Sequence, residues 1–270
     1  LPCIVGSPFA DQYGSNRSFI YVAIRRPDGY VGKPVSAGTE VFAMDTGNSS
    51  STIPTFDSGF PVDWAFVRQF ANTDNWGQYT RLTGGKFDSN AGFGAASFWD
   101  SNRQGWMWKR HAGFDVVTWA GTNGNVLRRH NLGRTPEMII FKNRDAARSW
   151  RTYHKGLNGG TNPEDYEIVI NSSSGSGSNT SYMNGTAPTS THFVSGNDGD
   201  TNGIGDNYIA LLFASVEGIS SVGSYSGSSS AVTLDLGFQP RLIIIRRYNT
   251  GGTGWLVFDT TRGINTGNDP

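Results

Sequence analysis

Apolar and polar residues alternate along this chain with the period of β-strands. β-Branched and aromatic runs occur at Ser18–Arg25, Glu40–Met44, Asp63–Arg68, Phe114–Trp119, Glu137–Lys142, Glu167–Ile170, Thr191–Val194, Tyr208–Phe213, Arg241–Arg246 and Trp255–Phe258. Clusters of Gly, Asn, Asp, Ser and Thr separate them at intervals of about 8–12 residues, the spacing of an all-β sandwich or barrel. The plausible helical stretches are short, such as Arg144–Arg148, and the Ser-rich stretch Asn171–Thr186 reads as a flexible surface loop. The pattern predicts an all-β chain of tandem antiparallel β-sandwich units, jelly-roll or lectin-like.

The units come from self-similarity. Gly59 and Pro61, Gly133 and Pro136, and Gly237 and Pro240 each follow an Asp or Asn: Asp57, Asn131 and Asp235. Each pair precedes a strand ending in a basic residue, Arg68, Lys142 or Arg246. A polar turn then leads to Trp76, Trp150 or Trp255, with Tyr79, Tyr153 or Phe258 three residues further on. The spacings agree. Gly59 and Gly133, Trp76 and Trp150, and Tyr79 and Tyr153 are each 74 positions apart, and Gly133 and Gly237 are 104 apart. A Gly before a Pro supplies a bend and then a fixed φ. Residues three apart on a strand lie on opposite faces, so at least one aromatic of each Trp pair belongs to a core.

A second element repeats out of phase. Phe19–Arg26, Gly105–Arg110 and Tyr208–Ala214 read as closing strands, and Val41–Gly47, Val116–Gly121 and Val222–Gly227 as opening strands. The expected organisation is the tail of a preceding unit with a linker at 1–38, a short unit at 39–112, a full unit at 113–218 and an incomplete unit at 219–270. The chain starts at Leu1 and reads as a piece of a longer polypeptide. Its two end segments would expose unpaired strand edges, which neighbouring structure, foremost another subunit, is expected to cover.

Several of these runs carry a family resemblance. Phe19–Pro27 with Gly38–Phe42, Trp106–Arg110 with Gly113–Val117, His130–Gly133 with Pro136–Ile140, and Tyr208–Ala214 resemble repeat-containing structural proteins of marine and cyanobacterial bacteriophages. The resemblance covers most of residues 18–264. It implies a virion component of a tail fibre, tail tip or capsid appendage. Such a protein is assembled in the host cytoplasm, packs against other virion subunits as a homo-oligomer, and attaches to the host surface. The family brings no catalytic residues with it.

Composition narrows the function classes. The 22 Lys and Arg balance the 22 Asp and Glu, so the basic excess that drives nucleic-acid binding is missing. No apolar run reaches the ~18 residues of a membrane helix. A single cysteine, Cys3, excludes an internal disulfide framework. There is no Gly-x-Ser-x-Gly elbow, P-loop or dinucleotide fingerprint, and none of the four histidines forms an i,i+4 metal pair. His130 sits inside the repeat signature, and the basic pairs Arg25-Arg26, Lys109-Arg110, Arg128-Arg129 and Arg246-Arg247 stand at strand ends.

The one loop with metal chemistry is Asp198–Asp206. Asp198, Asp200 and Asn202 alternate before Gly203 as in the first half of a calcium loop, and Asp206 adds an oxygen further on. Ile209 stands where the closing bidentate acid belongs. Ca²⁺ is the only cofactor the sequence suggests, against an Asx-rich turn as the plain reading. The expected function is non-enzymatic virion architecture. A lectin-like module stacking a host-surface glycan on exposed aromatics is the competing class, and a polysaccharide depolymerase a weaker one.

Overall fold

The computed structural model describes residues 35–49, 55–69, 76–94, 101–252 and 254–262. Phe19–Arg26, the first closing strand expected from the sequence, lies outside them. The described chain is antiparallel β-structure, with single turns of 3₁₀-helix at Gly38–Glu40, Leu157–Gly160 and Pro163–Asp165.

Five strands make the first sheet: β1 (Phe42–Thr46), β2 (Trp64–Gln69), β3 (Gly77–Thr80), β4 (Gly84–Lys86) and β5 (Arg103–Trp108), in the order β1-β5-β2-β3-β4. The next strands in the chain are β6 (Phe114–Ala120), β7 (Val126–Arg129), β8 (Met138–Asn143), β9 (Arg151–His154), β10 (Tyr166–Val169), β11 (Gly177–Ser178), β12 (His192–Ser195) and β13 (Asn207–Phe213). Six of them form a second sheet in the order β11-β10-β9-β8-β13-β6, and β7 pairs with β12 as a separate ribbon. β14 (Leu242–Ile245) and β15 (Leu256–Asp259) form a terminal hairpin. In both sheets the last strand inserts between the first two. Phe66 faces Trp106 across β2 and β5, and Ile140 faces Leu211 across β8 and β13.

Side-chain alternation explains the layering. β13 is apolar at every position from Tyr208 to Phe213, which marks a strand covered on both faces. Tyr208, Ala210 and Leu212 pack with Trp119, Ile139, Phe141 and Phe193 beneath the β7–β12 ribbon. Ile209 and Leu211 turn the other way and meet Trp64, Phe66, Trp106 and Trp108 of the first sheet. Leu242 and Val257 of the terminal hairpin join this second core. The first sheet, the second sheet and the hairpin are therefore three walls around one aromatic-rich interior. Among the described residues no helix is long and apolar enough to cross a membrane.

Three local expectations change. Arg144–Arg148 is not helical. The Asn143 side-chain oxygen accepts the Asp145 and Ala146 N–H groups at 3.0 and 2.8 Å, closing an Asx turn that competes with helix. Asn171–Thr186 is not a plain surface loop: it contributes β11, and Tyr182 and Met183 are fully buried in the ribbon-side core. Val222–Gly227 forms no strand, although its counterparts lie in β1 and β6. Those two strands are each held by a closing strand, β5 or β13, that pairs along their length.

Candidate functional site

The sequence signature takes one conformation at three places. Gly59, Gly133 and Gly237 have φ of 71°, 70° and 72°, a left-handed turn that suits glycine. The Asp57 and Asp235 carboxylates accept the Gly59 and Gly237 N–H groups, each at 2.9 Å. Pro61, Pro136 and Pro240 then lead into β2, β8 and β14. The repeat spacing marks the basic residue and the Trp that follow, but not their contact. Arg68 lies over the Trp76 ring at 4.7 Å, Lys142 over Trp150 at 5.7 Å and Arg246 over Trp255 at 5.6 Å.

Two of these basic–aromatic turns, at Lys142–Trp150 and Arg246–Trp255, are joints between walls. Ser89 O accepts the Trp150 indole N–H at 3.0 Å, Asn90 O accepts the Lys142 ammonium at 2.9 Å, and Phe93 N–H donates to Arg144 O at 2.6 Å. The first wall's trailing segment thus grips the second wall's turn. The second wall grips the hairpin in the same way. Ser174 O accepts from the Arg246 guanidinium, Ser176 N–H donates to Tyr248 O at 2.6 Å, and Gly252 N–H donates to Ser173 O at 2.9 Å. Tyr248 stands 104 positions after Arg144, the spacing of the repeat.

Trp150 is fully buried in the shared interior and Tyr153 in the ribbon-side core, so both aromatics of this pair are core residues. Trp76 is half-buried in the same interior. Tyr79 lies over Gly84, where an added Cβ would come within 2.5 Å of the ring. Trp255 and Phe258 are half-buried.

The Asp198–Asp206 loop is held by protein donors, and its oxygens go to different partners. Asp198 accepts the Asp200 N–H at 2.7 Å on one carboxylate oxygen and Ser181 Oγ at 3.2 Å on the other. Asp200 accepts Arg151 Nε at 2.6 Å, and the same guanidinium pairs with Glu167. Asn202 is fully buried; its oxygen accepts the Thr122 N–H at 3.1 Å and Arg128 Nη2 at 2.8 Å, and its amide donates to Gly124 O at 2.6 Å. Asp206 accepts Asn143 Nδ2 at 2.8 Å. Arg151 supplies the positive charge beside Asp200 that a cation would bring. No group of three or more His, Cys, Asp or Glu suited to a metal ion occurs among the described residues.

Other charged and titratable groups are likewise engaged. Arg128 also stacks on Trp119 at 5.2 Å, and Arg110 pairs with Asp63 at 3.0 Å, so these strand-end cations serve internal contacts. His111, His130 and His154 each accept, on Nδ1, the backbone N–H two residues on: Gly113 at 3.1 Å, Leu132 at 3.3 Å and Gly156 at 3.0 Å. Burial lowers all three, with His111 and His154 each brought down to about 4. Burial pulls Lys142 down to about 8 and raises Asp115. It raises Glu167 as well, despite the Arg151 contact.

Comparison with known proteins gives one family. Residues 107–269 match the model of a domain of unknown function, DUF7483. No curated protein and no solved structure matches the chain.

Proposed function

The chain belongs to the DUF7483 family, and we propose that it is a non-enzymatic structural module of a bacteriophage virion, built from tandem β units and placed in a tail fibre, tail tip or capsid appendage. One observation carries the architectural half of this reading. Signature residues of the second sheet and the hairpin, Lys142, Trp150 and Arg246, of the kind a lectin would present to a sugar and an enzyme to a substrate, are bonded to the preceding wall. Trp150 is the clearest case, fully buried with its indole N–H bonded to Ser89 O. A chain whose recurring signature encodes a joint between units is a chain for building extended or symmetric structures. The virion assignment rests on the sequence resemblance of the closing and opening strands to phage repeat proteins. In this reading the protein acts by packing against other virion subunits, including copies of itself, and host attachment belongs to the assembled particle.

Two measurements test it. Antibodies to this chain label intact phage particles in immuno-electron microscopy; labelling confined to host-cell lysate overturns the virion assignment. On a glycan array and a panel of bacterial polysaccharides the isolated chain gives neither retention nor cleavage. Saturable glycan binding, or release of reducing ends, would favour the lectin or depolymerase instead.

A further inference from the structure

Two strand edges of this molecule match each other. Among the described residues β1 pairs with β5 alone and β14 with β15 alone. The open edge of β14 shows in its exposure. Ile244 is 41% exposed, whereas Ile140, 104 positions earlier and flanked by β9 and β13, is 3% exposed. An uncovered apolar edge is a template for one more strand.

Backbone direction and charge select the partner. Val41 O accepts the Lys109 N–H and Gly47 N–H donates to Arg103 O, each at 2.8 Å, so the odd-numbered residues of β1 turn their backbone groups to β5. Alternation points those of Phe42 and Met44 outward. Arg241 O accepts the Thr260 N–H at 3.1 Å, so in β14 the outward groups belong to Leu242 and Ile244. β14 is bracketed by Arg241 and Arg246, and β1 carries Glu40 before it and Asp45 within it, five positions apart in both cases. One antiparallel register sets Phe42 opposite Ile244 and Met44 opposite Leu242, outward groups to outward groups. The same register brings Glu40 to Arg246 and Asp45 to Arg241. Phe42, Met44 and Leu242 all pack toward the aromatic interior, so the apolar layer continues across the contact.

We infer that copies of this chain join head to tail, the β14 edge of one seated on the β1 edge of the next. Pairing of like edges is opposed by charge: two β14 edges gather Arg241, Arg246 and Arg247 of both copies, and two β1 edges gather Glu40 and Asp45 of both. The charged groups keep their present bonds. Asp45 accepts the Asp57 N–H at 2.6 Å on one carboxylate oxygen, and the Arg246 guanidinium donates to the carbonyls of Val169 and Ser174, which carry no charge to balance its own. A contact between unlike surfaces repeats from copy to copy and yields a ring or a filament.

The inference deepens the self-packing of the structural reading and rests on it, but not on the virion assignment. Its test is cysteine cross-linking between two variants. Ala43 and Ile243 fall opposite each other as a non-hydrogen-bonded pair, close enough for a disulfide. In a Cys3→Ser background, Ala43→Cys and Ile243→Cys chains are mixed at high concentration and oxidised. Mass spectrometry is expected to find the mixed dimer severalfold above either same-variant dimer. Arg241→Asp in the second chain, a change at an exposed side chain, should lower that yield severalfold, and Asp45→Arg in the first should restore it. Same-variant dimers in equal or greater amount, or no disulfide at all, overturn the head-to-tail contact. A yield unmoved by Arg241→Asp overturns the register. A chain carrying both cysteines that closes a disulfide on itself when dilute overturns the second copy as occupant. Antibody-labelled particles together with no mixed dimer would sink this contact and leave the proposed function standing.

Discussion

At the scale of single residues, the fold depends on a few conformations that only particular side chains tolerate. Gly133 sits at φ of 70° with no atom within 4 Å of the position a β-carbon would take, so Gly133→Ala meets no clash and incurs only the left-handed backbone penalty. That cost is about 1 kcal/mol, to be read from the urea midpoint, with Gly133→Asn losing less because Asn accepts this region more readily. The histidines add a pH dependence. His111 and His154 have folded-state values near 4 against an ordinary 6.5, so the unfolded chain takes up protons first as pH falls. Their contribution is fully present above pH 6.5 and is lost as pH drops towards 4, by up to about 1.4 kcal/mol per pH unit for each proton. Urea unfolding at pH 7, 6 and 5 checks this, and His111→Asn with His154→Asn should flatten the slope.

At the scale of elements, the Asp198–Asp206 loop shows how a motif can be recognised while the partners of its side chains stay hidden. The alternating Asp-x-Asp-x-Asn pattern before a glycine is legible in the sequence. What each oxygen faces is not, because Arg151 on β9, Arg128 on β7 and Asn143 on β8 come from 49, 74 and 63 residues away. The loop pins three strands of two different layers. We expect chelator and added Ca²⁺ to leave the melting temperature unchanged, since the Arg151 guanidinium already neutralises Asp200. Asp200→Asn should cost about 2 kcal/mol by weakening a partly buried charged pair. A chelator-induced drop in melting temperature would support the calcium reading.

At the scale of the whole molecule, stability is concentrated where two walls and the ribbon meet along β13. Leu211 is 1% exposed and packs between the two sheets, so Leu211→Ala should cost about 2–5 kcal/mol. Leu256 is apolar too but 54% exposed in the third wall, and Leu256→Ala should fall within about 0.5 kcal/mol. Thermal unfolding of the two variants gives the contrast. Equal losses would mean that the third wall is packed as tightly as the others.

Fold class, most strand positions and the signature turns can be read from the chain's residues alone. These are local properties: period-two alternation, β-branched runs, and an Asp-x-Gly turn whose side chain bonds its own backbone two residues on. The components of the joints are local too, since the basic residue and the Trp recur at fixed spacing. Three-dimensional packing settles the rest: that these two stack, that the turns they make in the second sheet and the hairpin are gripped by the preceding wall, and that two sheets and a hairpin line one interior. Packing also buries Tyr182 and Met183 from a Ser-rich stretch and leaves Val222–Gly227 without a strand. The physical reason is the same in each case. A strand or a buried ring is fixed by partners far away in the chain, and a pattern read over ten residues carries no record of which distant segment will cover it.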